Sequence, residues 1–159
     1  MIFGDITPLH VPPHVQSQLE ERGIRETDLR TVLNFAESGR QFHTHGATGH
    51  RLAYYTLSKV TYWVEYGQEG SAYRIYSAYS HRMRILQGFN MPSKKTPTET
   101  GWICSACELP LALATVKLAY LDETFAVDLP ACPACQRVLV SEEQAIAKMA
   151  LAERMLEDK

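Results

Sequence analysis

The chain has 159 residues, of which 45% are hydrophobic and 21% charged, with a formal net charge of −2. That length suits one average domain or two small ones. No run of about 18 apolar residues occurs, so no membrane-spanning helix is expected, and the opening MIFGDITPLHVPPH has no basic start followed by a long apolar stretch, so no secretory signal is expected.

Two helices are expected first. Pro12 and Pro13 suit the first turn of a helix, and Gly23 is a natural stop, which gives a helix over 13–22. Thr27 is expected to cap a second helix, in which Leu29, Val32, Leu33 and Ala36 recur at helical spacing until Gly39 ends it. The period then changes. Arg40–His45, Arg51–Leu57, Val60–Tyr66 and Ala72–Ser80 are rich in Tyr, Val, Thr, Trp and Ile and are separated by turn residues. They predict an antiparallel meander of three or four strands with two helices on one face. Arg82–Phe89 reads as a last strand or a turn of helix.

Residues 91–100, MPSKKTPTET, carry two prolines and two lysines and almost nothing apolar, and are expected to be a linker. The expected domains are therefore 1–90 and 101–159, and a boundary there implies that residues 1–90 fold alone. The first carries a net of +1 and the second a net of −4. Phosphate contacts need local positive charge, so the acidic second domain is not expected to bind nucleic acid.

The second domain holds all four cysteines of the chain, Cys104 and Cys107 in WICSACELP and Cys132 and Cys135 in LPACPACQR, with 24 residues between the pairs. Two C-x2-C turns facing each other give a tetrahedral set of four thiolates, which suits zinc or a single iron. Redox disulfides or unligated thiols are the alternatives. Paired cysteines in a chain without a signal favour metal over structural disulfides and a cytoplasmic location. Trp102–Cys104 is expected to be a short strand with Trp102 beside the first turn. Val116–Leu121 and Phe125–Leu129 are expected to form a hairpin, followed after the second cysteine turn by a strand, Val138–Val140. Ser141 with Gln144 reads as a capping box that opens a helix over 142–157. Its stripe of Ala145, Met149, Ala152 and Leu156, with Ile146 and Met155 beside it, is expected to pack inward or to meet a partner. A segment of this size has a marginal core, which a bound metal would reinforce.

The C-x2-C turns, with FAVDLP leading into the second, resemble zinc ribbons and, more distantly, rubredoxins, in which four cysteines hold one iron that carries electrons. Glycine usually follows the second cysteine of each turn in those families; Glu108 and Gln136 stand there in this chain. The order C-x2-C, a VKLAYLDETFAV-like hairpin and CPAC also resembles the zinc domain of MqsA-type antitoxins. The whole segment through KMALAERMLEDK resembles a family of small proteins from anaerobic bacteria labelled redox proteins. In the first half, EERGIRETDLRTVL, Gly49–Leu57, Thr61–Tyr66 and Ile75–Ser80 with His81-Arg82 resemble the RelE/ParE-like superfamily, especially members close to BrnT. That resemblance implies two helices and a curled sheet that binds ribosome or mRNA and cleaves RNA by acid–base chemistry.

The overall expectation is α+β, with a RelE-like helix–helix–sheet domain and a zinc ribbon ending in a helix. The expected metal ligands are Cys104, Cys107, Cys132 and Cys135, holding zinc or alternatively iron. The favoured function is a binding or adaptor protein with a structural zinc in a redox-associated bacterial system, more a non-enzyme than an enzyme. The alternatives are a rubredoxin-like electron carrier and a RelE-like ribonuclease fused to an antitoxin-like zinc domain, for which His81, Arg82, Arg51 and Arg74 are the catalytic candidates and Arg84 a further basic group. His43, His45 and His50 form a weaker candidate metal or acid–base set. The expected partner is another protein or a second copy, met through the C-terminal helix or the Tyr-rich sheet; RNA is less favoured and a membrane is excluded.

Overall fold

A computed structural model describes residues 8–92 and 101–158, with 87–92 described by backbone alone. After a short strand β1 (Leu9–His10), helix α1 spans Pro13–Arg22, opened by Pro13 and closed by Gly23 in the left-handed region at φ 69°. Helix α2 spans Glu26–Gly39. It begins before Thr27, because the Asp28 carboxylate reaches back to the Arg25 amide at 3.0 Å and takes the capping role expected of the threonine. Arg40, at φ 53°, makes the turn that ends it.

Strands β2 (His43–His45), β3 (Arg51–Leu57), β4 (Val60–Glu69) and β5 (Ala72–His81) form the expected antiparallel meander, and β1 adds in parallel to β5. A register shift at Glu65/Tyr66 bends β4. Helices α1 and α2 cover one face of this sheet. Val15, Leu29, Val32 and Leu33 pack there on Val64 and Ile75, all at most 1% exposed.

The sheet does not end with the meander. Strand β7 (Trp102–Cys104) pairs with β2, matching Cys104 to His43, and β8 (Leu109–Pro110) pairs with β7. The resulting seven-stranded order is β1-β5-β4-β3-β2-β7-β8. A second sheet has three strands, β6 (Arg84–Pro92), β9 (Ala112–Tyr120) and β10 (Glu123–Ala131), in the order β10-β9-β6. Arg82–Phe89 therefore resolves as a strand, and it pairs with the hairpin of the second half rather than with the meander.

The packing consequently crosses the expected boundary. Trp63, Leu52 and Tyr79, on the sheet face opposite the helices, share one core with Val116, Leu118 and Val138. Residues 1–90 thus leave Leu52, Trp63, Tyr79 and Met83 to be covered by the second half, and the expectation that they fold alone does not match the packing; 93–100 of the expected linker lie outside the described residues. Val138–Val140 makes an isolated bridge, Ala131 with Val138, in place of a strand. The last helix starts as expected, with the Ser141 hydroxyl accepting the Gln144 amide at 3.1 Å. A π-helical segment, Gln144–Met149, then runs into α3, Ala150–Glu157. Ala145 and Met149 are buried, whereas Ile146, Leu151 and Met155 are exposed. Among the described residues no helix is long and apolar enough to cross a membrane.

Candidate metal centre

Strand β7 delivers Cys104 to the rim of the seven-stranded sheet, and β10 delivers Cys132 just past its last residue, Ala131. Each starts the same turn. The Glu108 amide donates to the Cys104 carbonyl at 2.7 Å, and the Gln136 amide donates to the Cys132 carbonyl at 2.9 Å. In both turns the first cysteine sulfur accepts two amide N–H groups, those of Ala106 and Cys107 for Cys104 and those of Ala134 and Cys135 for Cys132. In both, the residue after the second cysteine is left-handed: Glu108 at φ 57° and Gln136 at φ 66°. The turn thus takes the geometry that glycine would allow freely, with non-glycine residues in place.

The two turns bring the four Sγ atoms within 4.8 Å of one another. No disulfide joins them. Cys104 and Cys135, from different turns, are 3.7 Å apart. A tetrahedron with metal–sulfur bonds of about 2.3 Å has S···S edges of about 3.8 Å, so this separation suits a shared ion. Burial is graded: Cys104 and Cys132 are buried, Cys107 is intermediate and Cys135 is exposed.

The thiols perturb one another. Hydrogen bonds with the Cys135 and Cys132 thiols push Cys107 up to about 12. Burial raises Cys104, and its two amide donors act against that. Burial also opposes ionisation of Cys132, but there the amide donors and neighbouring thiols prevail and its pKa is lowered. Four thiols this close resist ionising together, and a divalent cation removes that resistance by replacing the protons. The donor set, spacing and amide contacts therefore fit a four-sulfur metal ion. Four sulfurs also close its coordination sphere, leaving no open position for a substrate.

The first turn is held by the N-terminal half. The Ser105 amide donates to the Phe42 carbonyl at 3.0 Å, and the Ser105 and Thr44 hydroxyls are 2.6 Å apart. His43, fully buried, bonds through Nε2 to the Val138 carbonyl at 2.9 Å. Since the carbonyl can only accept, Nε2 carries the proton. Burial lowers the His43 pKa to about 4, so the ring is neutral. The site thus lies at the seam of the two halves.

A family model described as a domain of unknown function (DUF7479) matches residues 100–159, the stretch that carries both cysteine turns and the terminal helix. No curated protein and no solved structure matches the chain.

Of the remaining sequence candidates, Arg82 and Arg84 line one cleft, and the others do not join them. His81 is 3% exposed; its Nε2 accepts the Trp63 indole N–H at 2.9 Å and its Nδ1 donates to the Met83 carbonyl at 2.8 Å. Both ring nitrogens are committed, and burial lowers the pKa to about 4. In this arrangement the ring cannot exchange protons with a substrate. Arg51 is paired with Glu37 at 2.8 Å, Arg74 lies 3.7 Å from Glu69, and Arg82 is paired with Glu157 at 2.7 Å. The histidine set also separates. His45 accepts the Ala47 amide through Nδ1 at 3.1 Å and meets Trp102 edge-on, while His50 bonds Glu65 at 2.7 Å and stacks on Tyr76.

Sequence reasoning missed three carboxylates. Glu37 accepts hydrogen bonds from Arg51, Tyr66 and Tyr73 and ties α2 to the sheet. Glu142 accepts from Arg22 and Ser77, and Glu153 accepts the Arg82 and Met83 amides at 2.7 and 2.8 Å. Glu37 and Glu153 lie in no motif and Glu142 reads only as part of the helix start; the three have partners 14 to 120 positions away.

Proposed function

We propose that this protein is a metal-binding adaptor in which Cys104, Cys107, Cys132 and Cys135 hold a structural zinc. The observation that carries this reading is the convergence of the four sulfurs from two matching turns, each with two amides donating to its first cysteine. Such a site stabilises the segments that supply its ligands. Here those segments are the end of β7, hydrogen-bonded to the N-terminal meander, and the end of β10, so zinc would join the two halves.

The first half is read as a RelE-like scaffold that does not cleave RNA. Supporting this, His81 is enclosed, Arg51 is neutralised by Glu37, and the sheet face opposite the helices is covered by the second half. Partner binding is assigned to the C-terminal helix, where Ile146, Leu151 and Met155 are exposed. Four cysteines without a disulfide, paired as C-x2-C turns, suit a reducing compartment such as the cytoplasm.

One observation favours a second reading. Cys135 is exposed, which would give a bound iron a surface edge for electron transfer. Elemental analysis of protein made in medium containing both metals separates the two. The zinc reading expects one zinc per chain and a colourless protein. One iron per chain, with a red colour that bleaches on reduction, would make the protein an electron carrier instead.

A further inference from the structure

At the seam between the halves lies a cleft of about 320 Å³. Three pieces of chain build it. The tight turn between β3 and β4 supplies Ser58 and Lys59, the start of β6 supplies Arg84 with Arg82 just before it, and the β9–β10 hairpin supplies Tyr120. Lys59, Arg82 and Arg84 are exposed, and three cations face one small volume in a chain whose net charge is −2. Lys59 and Arg84 have no carboxylate within ion-pair distance among the described residues.

Arg82 shows how the cleft receives an anion. One oxygen of the Glu157 carboxylate, from the last turn of α3, accepts the Arg82 Nη1 proton at 2.7 Å and the Tyr120 hydroxyl proton at 2.8 Å. The pair is open to water, with the side chains 59% and 36% exposed, so its attraction is weak and a competing anion can displace it. The other nearby acid, Glu153, is occupied by the Arg82 and Met83 amides. A carboxylate brings one negative charge, whereas three cations, two of them planar guanidinium forks, match a phosphate dianion or a diphosphate. Ala119 and Leu121 form an apolar wall beside these cations, with room for the rest of a small ligand.

We infer that this cleft binds a phosphate-bearing small molecule, whose phosphate takes the place of the Glu157 carboxylate on Arg82 and Tyr120 and is completed by Lys59 and Arg84. Glu157 is then a built-in competitor, and the end of α3 yields when the ligand enters. This assignment is independent of which metal the cysteines hold.

The test is calorimetric titration of the full chain, in phosphate-free buffer, with pyrophosphate, adenosine 5′-diphosphate and a short single-stranded RNA with or without a 5′-phosphate. Saturable binding of pyrophosphate or the diphosphate is expected. Arg84→Ala and Lys59→Ala should each weaken it about tenfold, the effect of losing one charge-assisted contact. Glu157→Gln should tighten it several-fold, while Glu143→Gln, which removes the same charge at the exposed opposite end of the helix, should leave it unchanged. Circular dichroism of each variant checks that the fold is retained. The assignment is overturned if neither small phosphate binds, if the two cation variants bind like the parent, or if Glu143→Gln and Glu157→Gln act alike. It is equally overturned if only RNA binds, with or without its 5′-phosphate, which would make the occupant a polynucleotide backbone.

Discussion

Glu108 and Gln136 hold left-handed backbone at matching places, one residue past the second cysteine of each turn. For a residue with a Cβ that conformation costs roughly 1–2 kcal/mol, partly offset because glycine loses more freedom on folding. Glu108→Gly and Gln136→Gly should therefore each stabilise the metal-loaded protein by about 0.5–1 kcal/mol, read as a higher denaturation midpoint. A lower midpoint would mean that the two side chains contribute more than their backbone strain costs. His81 supports a pH prediction. Its folded pKa is about 4, against about 6.5 when unfolded. Between those values the unfolded chain binds a proton that the folded chain does not, so stability falls as pH drops from about 6.5 to about 4. The loss is at most about 3 kcal/mol from this one ring. His81→Gln should flatten the stability–pH profile in that window relative to the parent, and a comparison of variant with parent cancels the metal release that acid would cause at the proposed site. Unchanged slopes would show that the ring already titrates freely. The composition of both cysteine turns was legible in the sequence. The left-handed backbone at Glu108 and Gln136 was not, because neither residue type announces it.

At the scale of elements, the terminal helix is tied down by one buried carboxylate. Glu153, 7% exposed, closes the corner between β5 and β6 by accepting two backbone amides. Glu153→Ala would leave both amides without a partner and should cost about 2–4 kcal/mol, measured by chemical denaturation; Glu153→Gln, which keeps a carbonyl acceptor, should cost less. Equal losses for the two would show that packing, rather than hydrogen bonding, matters at this position. Helical and strand periodicity placed most elements, and α1 and β3 at the residues expected, since local spacing determines them. The role of Glu153 was hidden because its partners lie some seventy positions away. In sequence it reads as part of the polar face. The burial of Ala145 and Met149 followed the expected stripe, while Ile146 and Met155, expected beside it, are exposed.

At the scale of the whole molecule, the two halves share a sheet and a core. Trp63 is completely buried, and part of its surroundings comes from the second half. A chain ending at residue 90 would expose that face and the free edge of β2, and should be poorly folded or aggregated. A monomeric, cooperatively melting 1–90 chain would contradict this account. The sequence suggested two modules because composition changes sharply across 91–100 and because each half has its own periodic signals. It could not show that β7 adds to β2 or that β6 crosses over to β9, since pairing between distant strands leaves no local mark.

The central claim is that a metal on four cysteines holds this shared architecture together. It is tested most directly by removing the metal with a chelator under reducing conditions and melting both forms, following aromatic near-ultraviolet dichroism for the sheet around Trp63 and far-ultraviolet dichroism for the helices. The account predicts that the metal-free form loses stability and that both signals fall together at the lower temperature. A metal-free chain that melts at the parent's temperature, or whose sheet signal is indifferent to the metal, would contradict it.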